Sequence, residues 1–70
     1  AIAGTYKVTS SDGLNLRLGA GTSKGKILTI PSGGTVKCYG YYNVSGGVKW
    51  YYVAYKTYTG YVSSQYLKKQ

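Results

Sequence analysis

The glycine-rich stretch from Gly19 to Lys26 is the first candidate for chemistry, because phosphate-binding loops combine glycines with lysine. A dinucleotide-binding loop needs glycines at its first, third and sixth positions. Gly19 and Gly21 fit this spacing, but the sixth position is Lys24. A P-loop needs a glycine five residues before the glycine of its Gly-Lys pair, and Ala20 stands there. In both motifs the glycine-rich loop leads directly into a helix whose N-terminus faces the phosphate. No helical pattern follows here, so the stretch is predicted to be a long, flexible loop.

Catalytic side chains are scarce in this chain. Asp12 is its only acidic residue, and histidine is absent. One carboxylate cannot form the pair that cleaves glycosidic bonds, and a serine or cysteine nucleophile would lack its usual base. Asp12 lies in a Ser-Asp-Gly segment, where its side chain is expected to bond its own backbone. The sequence therefore predicts a binding protein rather than an enzyme.

Cys38 is the only cysteine, so no internal disulfide is possible. A zinc site of the usual kind would also need a histidine or a second cysteine. We therefore predict neither a metal nor a cofactor. Cys38 alternates with Val36 in a strand-like segment, which predicts a small core residue; a reactive or intermolecular thiol is the alternative.

The charge of the chain is strongly one-sided. Nine lysine and arginine residues face a single acid, which gives a net charge of +8 over 70 residues. Such a field favours an anionic partner, such as nucleic acid, an anionic polymer or an acidic membrane. A chain of this length forms one domain with a small core. No segment approaches the roughly 18 apolar residues that a membrane-spanning helix needs.

Short alternating segments separated by glycine-rich turns dominate the chain, and none has helical periodicity. This pattern is typical of an all-β sandwich or barrel, and the small size favours a barrel. Turns are predicted at 10–13, 31–34, 43–47 and 56–57, and a tight turn at 63–66. Strands are predicted at 5–9, 14–17, 27–30, 35–42, 48–55 and 58–62.

Strand alternation sorts the side chains into two faces. If Val53 faces the core, Tyr51 and Tyr55 share its face, while Trp50, Tyr52 and Ala54 point outward. The same argument places Val36 inside and Lys37, Tyr39 and Tyr41 outside. The predicted buried residues are Leu14, Leu16, Ile27, Val36, Cys38, Tyr51, Val53 and Val62.

Four segments, in order, resemble bacterial SH3 (SH3b, SH3 type 3) domains. The run LNLRLGAGTSKGKIL at 14–28 resembles the family's LNVRSGPSTSYKVIG, and PSGGTV at 31–36 is similar to KKGTKV. WYYV at 50–53 resembles WYKV, and TGYVSSQYL at 59–67 resembles TGWVSSSYL with Tyr61 in place of tryptophan. The resemblance runs from Thr5 to Leu67, and the loop segment Leu18-Gly19-Ala20 departs from the family's Ser-Gly-Pro.

The resemblance implies an SH3-like barrel of five to seven short antiparallel strands. It also implies a non-catalytic module that binds peptidoglycan or an associated anionic wall polymer. Such a module targets a covalently linked peptidoglycan hydrolase, a phage endolysin or bacterial autolysin, to the Gram-positive wall. The chain would then be a single domain, residues 1–70, of a longer extracellular or lysis-released protein, with clostridial or bacillar examples most similar. Proline-rich peptide binding is not expected, because the ALYDY motif and the acidic loop of eukaryotic SH3 domains are absent.

The predicted ligand surface combines outward aromatic rings with the basic loop. Flat rings suit sugar faces, and lysine or arginine suits carboxylates and phosphates. Asn15 is expected to bond backbone where the strand enters the loop. The tyrosines can also be ordinary strand residues facing solvent, in which case the rim around Tyr58 and Tyr66 is the alternative. The predicted ligand-binding residues are Arg17, Lys24, Lys26, Tyr39, Tyr41, Trp50 and Tyr52.

Two other functions remain open from the residues alone. Basic charge with interleaved aromatics is what single-strand nucleic-acid binders use, so a nucleic-acid-binding small barrel is the runner-up, although the aromatic RNP motif is absent. The third is a structural domain whose tyrosine face packs on an attached catalytic domain.

Overall fold

The structure is a computed structural model that describes residues 2–70, most of which lie in strands. No α-helix occurs within these residues, which confirms the all-β prediction. The same residues contain no helix long and apolar enough to cross a membrane. A single 3₁₀ turn, Ser64–Tyr66, precedes the last strand. The strands are β1 Gly4–Val8, β2 Leu14–Arg17, β3 Lys26–Ile30, β4 Thr35–Ser45, β5 Val48–Tyr55, β6 Tyr58–Ser63 and β7 Leu67–Lys69.

The strands form one antiparallel sheet in the order β3-β2-β6-β5-β4-β1-β7. The sheet curls around one core to give a body of 26 × 25 × 22 Å. Seven short strands in this arrangement agree with the predicted SH3-like barrel. β3 and β7 form the two edges of the sheet, and β2 joins β6 through the pairing of Arg17 with Tyr61.

The short turns between strands follow the predicted glycine and proline positions. The Gly13 amide donates to the Ser10 carbonyl at 3.1 Å, and the Gly34 amide donates to the Pro31 carbonyl at 2.9 Å. Tyr55 pairs with Tyr58, so residues 56–57 close the β5–β6 hairpin as predicted. The tight turn predicted at 63–66 is the 3₁₀ turn, in which the Gln65 amide donates to the Ser63 hydroxyl.

The turn predicted at 43–47 is wrong, because β4 continues to Ser45. Asn43 pairs with Trp50 and Ser45 with Val48, and only Gly46 and Gly47 form the turn. Both glycines have positive φ, 59° and 77°. Two consecutive residues in this conformation make the two-residue hairpin turn that matches the strand twist, so the strands extend up to it.

A bulge in β4 interrupts its regular pairing with β5. Cys38 pairs with Val53 and Tyr42 with Tyr51, so three residues of β4 stand opposite one residue of β5. Gly40 lies in this bulge with a φ of 98°. The insertion adds two residues, an even number, so alternation from Cys38 still places Tyr42 on the face of Tyr51, against whose ring it packs.

One hydrophobic core fills the concave side of the sheet. Six of the eight predicted core residues are buried, but Ile27 and Tyr51 are only half-buried and pack against the edge of the core. The prediction omitted Tyr6, Val8 and Ile30, which are all buried. The buried cluster is Tyr6, Val8, Leu14, Leu16, Ile30, Val36, Cys38, Val53 and Val62.

Candidate functional site

A groove of about 380 Å³ lies on the face of the sheet opposite the core. Its floor is formed where Trp50 of β5 pairs with Ser63 of β6. Both side chains are 6% exposed. Three segments that connect strands form its walls: the β1–β2 turn, the β2–β3 loop and the 3₁₀ turn. The groove is lined by Ser10, Asp12, Gly13, Leu14, Asn15, Arg17, Thr22, Val48, Trp50, Ser63, Gln65 and Tyr66.

The predicted exposure of Trp50 is wrong, although its predicted direction is right. Trp50 pairs with Asn43 and Ser63 and does not belong to the core cluster, so its ring lies on the outward face. It is nevertheless buried, because the connecting segments fold over this face. An aromatic ring covered in this way keeps a defined position and gives the groove an apolar floor.

Arg17 is the last residue of β2 and lies half-buried at the groove. Its Nη1 donates a hydrogen bond of 2.9 Å to the Lys24 carbonyl. The Leu18 amide also donates to the Gly25 carbonyl at 2.8 Å, so the predicted glycine-rich loop is hydrogen-bonded across its base. Arg17 therefore does two things: it organises the β2–β3 loop, and it brings a positive charge to the groove.

The β2–β3 loop also rests on the end of the β4–β5 hairpin. Gly21 is buried, and a Cβ at this position would lie 3.1 Å from the Ser45 hydroxyl oxygen. Its φ of 123° is one that side-chain-bearing residues rarely adopt. Gly21 thus allows the loop to approach the hairpin closely and form one wall of the groove.

Asp12 gives the groove a charge of the opposite sign. It lies in the β1–β2 turn, which is closed by the amide of Gly13. A Cβ on Gly13 would lie 2.6 Å from the Ile30 carbonyl oxygen, so glycine is required directly after Asp12. The one carboxylate of the chain and the guanidinium of Arg17 therefore line the same groove.

Three tyrosines continue the outward face beside the groove; we call Tyr39, Tyr52 and Tyr61 the tyrosine row. The ring centroids are 5.7 Å apart for Tyr39 and Tyr52, and 5.2 Å apart for Tyr52 and Tyr61. The Asn43 amide donates to the Tyr61 hydroxyl at 3.4 Å. Because Tyr61 pairs with Arg17, the row ends beside the groove.

The structure brings together only part of the predicted site. Arg17 and Trp50 share the groove, and Tyr39 and Tyr52 share the tyrosine row. Lys24 and Lys26 are exposed in and after the loop, Lys24 contributing its carbonyl to Arg17. Tyr41 lies in the β4 bulge, 69% exposed, and does not belong to the row.

Several residues of the groove were missed from the sequence. Asp12 was interpreted only as a turn former, and Tyr66 was named only as an alternative. Asn15 does not bond backbone as expected: its Oδ1 accepts from the Thr29 hydroxyl of β3 at 2.9 Å. Tyr61 of the tyrosine row was also missed, although its alternation with Ser63 on β6 places the two side chains on the same face.

The groove offers an apolar floor, one positively charged side chain, Arg17, and one negatively charged side chain, Asp12. Tyr66 adds a half-exposed ring at the rim. This set suits a ligand that has a flat or aliphatic part and both polar signs, such as a short peptide or an amino sugar. Among residues 2–70 no three side chains that could hold a metal ion come together.

Comparison with known proteins identifies the family of the chain. The family model for the bacterial SH3 domain matches residues 12–68, which leaves β1 outside the match. A search among curated proteins finds no match to this chain. Bacterial SH3 domains are binding domains rather than catalytic ones, and many bind components of the cell wall. The matched residues cover well over half of the chain, which therefore belongs to the bacterial SH3 domain family.

Proposed function

We propose that this domain binds peptidoglycan through the groove and the adjoining tyrosine row. The observation that carries the proposal is the composition of the groove: the buried ring of Trp50 with Arg17 and Asp12 beside it. Peptidoglycan carries sugar rings, amines and carboxylates along one polymer. The rings of the protein suit the sugar faces and aliphatic parts, and the two charged residues suit the peptide termini.

The domain would serve to hold an attached hydrolase on the Gram-positive wall, as in an endolysin or autolysin. In this role residues 1–70 are one wall-binding unit of a longer protein that acts outside the cell or after lysis. Repeated units would add affinity through avidity rather than through a stronger single groove. The domain's own residues support binding rather than catalysis, because one carboxylate and no histidine are available.

A pull-down with purified sacculi tests the proposal. Sacculi are used with and without chemical removal of their anionic polymers, and the bound fraction of the domain is measured. We expect binding to both preparations. No binding to stripped sacculi, or stronger retention on immobilised single-stranded DNA than on sacculi, would contradict it and favour the nucleic-acid alternative.

A matched pair of tyrosine variants locates the site. Tyr66 lines the groove and is 45% exposed, whereas Tyr58 lies at the β5–β6 turn outside the groove and is 48% exposed. Because both rings are similarly exposed, neither loss should unfold the domain. Tyr66→Ala should weaken binding to stripped sacculi, and Tyr58→Ala should leave it unchanged. Equal binding of both variants and the parent would place the site elsewhere.

A further inference from the structure

The carboxylate of Asp12 has no partner in the part of the chain that the structure describes. The side chain is exposed and makes neither a hydrogen bond nor an ion pair with residues 2–70, although the chain carries nine lysine and arginine residues. It does not bond its own backbone as the sequence predicted: the β1–β2 turn is closed by main-chain atoms, the Gly13 amide donating to the Ser10 carbonyl. The only acidic side chain of the protein therefore lines the groove without holding the turn together.

The end of the groove at Asp12 is shared with the 3₁₀ turn. The Thr9 amide donates to the Tyr66 carbonyl at 2.9 Å, which joins the β1–β2 turn to the 3₁₀ turn. Gln65 and Tyr66 line the groove there, and both are exposed. A carboxylate, an amide oxygen and the face of an aromatic ring are the groups that bind a primary ammonium. This end of the groove therefore suits a positively charged amine.

Arg17 stands at the opposite end of the groove. Asp12 precedes β2 and Arg17 ends it, and β2 alone, from Leu14 to Arg17, is about 10 Å long at about 3.3 Å per residue. The hydrogen bond from Arg17 Nη1 to the Lys24 carbonyl holds the guanidinium at the β2–β3 loop, so the two opposite charges do not pair. The other N–H groups of the guanidinium have no partner within residues 2–70 and can donate to a carboxylate.

The ring of Trp50 lies between these two ends. Because β6 runs antiparallel to β2 from the pair of Arg17 with Tyr61, Ser63 and its partner Trp50 lie level with the middle of β2. A ligand that fills the groove therefore needs an ammonium, a carboxylate about 10 Å or more away, and a stem that packs on the ring. An amino sugar carries its charged groups on one ring and is too short. An extended peptide of three or four residues spans about 10 to 14 Å and fits.

We infer that the groove binds both charged ends of a zwitterionic oligopeptide of three or four residues, the ammonium at Asp12 and the carboxylate at Arg17. The inference rests on the proposed function for the location of the site and adds the chemical groups that the site selects. A peptide with a free amine binds more tightly than the same peptide with that amine acylated. Because a peptide cross-link acylates an amine, the groove then prefers wall peptides that are not cross-linked.

Four small peptides and two variants test this inference. The peptides are tetraalanine, its N-acetyl form, its C-terminal amide and dialanine, and NMR titration of the ¹⁵N-labelled domain gives a dissociation constant for each. Asp12→Asn removes the negative charge with little change of shape and raises the net charge from +8 to +9. Thr57→Lys is the matched control: it raises the net charge equally, at an exposed position in the β5–β6 turn outside the groove.

The parent should bind tetraalanine about fivefold more tightly than the acetylated or amidated peptide, and dialanine more weakly still. Asp12→Asn should bind tetraalanine and its acetylated form equally, whereas Thr57→Lys should keep the parent's preference. Equal affinity of the parent for these two peptides, a preference that survives in Asp12→Asn, or no saturable binding of tetraalanine would overturn the inference.

The proposed function is tested separately by the sacculi pull-down, which does not depend on selection of an ammonium. Binding of the parent to stripped sacculi together with equal affinities for the free and acetylated peptides would overturn this inference alone. Failure to bind stripped sacculi would overturn the proposed function, whatever the result with the peptides.

Discussion

Val53 lies at the centre of the core, and its truncation gives the most calculable test of the fold. It is fully buried, and its neighbours on the paired strands are Cys38 and Gly60. Val53→Ala removes two buried carbon atoms, which costs about 1.6 kcal/mol at about 0.8 kcal/mol each. A cavity of about 50 Å³ left unfilled would add about 1.2 kcal/mol at about 24 cal/mol per Å³. We expect a loss of about 1.6 to 2.8 kcal/mol in the free energy of unfolding.

Urea denaturation measures this loss through the fluorescence of Trp50, which is the only tryptophan and is buried. A decrease of about 2 kcal/mol should lower the thermal midpoint by about 10 °C in a domain of this size. Val44→Ala is the matched control, since Val44 is 61% exposed on β4 and the same atoms are removed. It should cost less than about 0.5 kcal/mol. Equal losses for the two variants would refute the assignment of the core.

Three further results are expected. Gly60→Ala should destabilise the domain by about 2 kcal/mol or more, because the new Cβ would lie 2.6 Å from a main-chain oxygen of β2. Gly19→Ala is the control and should leave the stability nearly unchanged, because its Cβ meets only a flexible lysine side chain. Equal urea midpoints for the two variants would contradict the prediction. Burial raises the pKa of the Tyr6 phenol, with smaller effects of Tyr51 and Cys38. As the pH rises above about 10, the Tyr6 phenol therefore loses its proton in the unfolded chain before it does so in the folded domain. The free energy of unfolding should then fall more steeply with pH in the parent than in Tyr6→Phe. Parallel curves for the two proteins would contradict the raised pKa. The buried thiol of Cys38 should react with a disulfide reagent only after urea unfolding, and rapid labelling of the native domain would show that it is accessible.

Local features of the sequence were sufficient to predict most of the fold. Alternating side chains and glycine-rich turns identify six of the seven strands, since each depends on neighbours a few residues away. The exceptions have identifiable causes. The extension of β4 to Ser45 depends on how Gly46 and Gly47 turn together, and the bulge around Gly40 depends on the pairing with β5. The short edge strand β7 was missed because it has only three residues.

The candidate site was harder to predict because it is assembled from segments distant in the chain. Alternation correctly placed Trp50 on the outward face, but its burial depends on three connecting segments that fold over it. Asp12 and Arg17 are brought to one groove by the pairing of β2 with β6 and by the turn before β2.

The central claim is that the groove beside Trp50 binds peptidoglycan, and an NMR titration tests it most directly. ¹⁵N-labelled domain is titrated with soluble muropeptides, which carry no anionic wall polymer, and amide and indole shifts are followed. The account predicts saturable shifts at Asp12, Arg17, Gln65 and the indole of Trp50. Shifts confined to the β4–β5 hairpin end, or no saturable shifts at all, would contradict it.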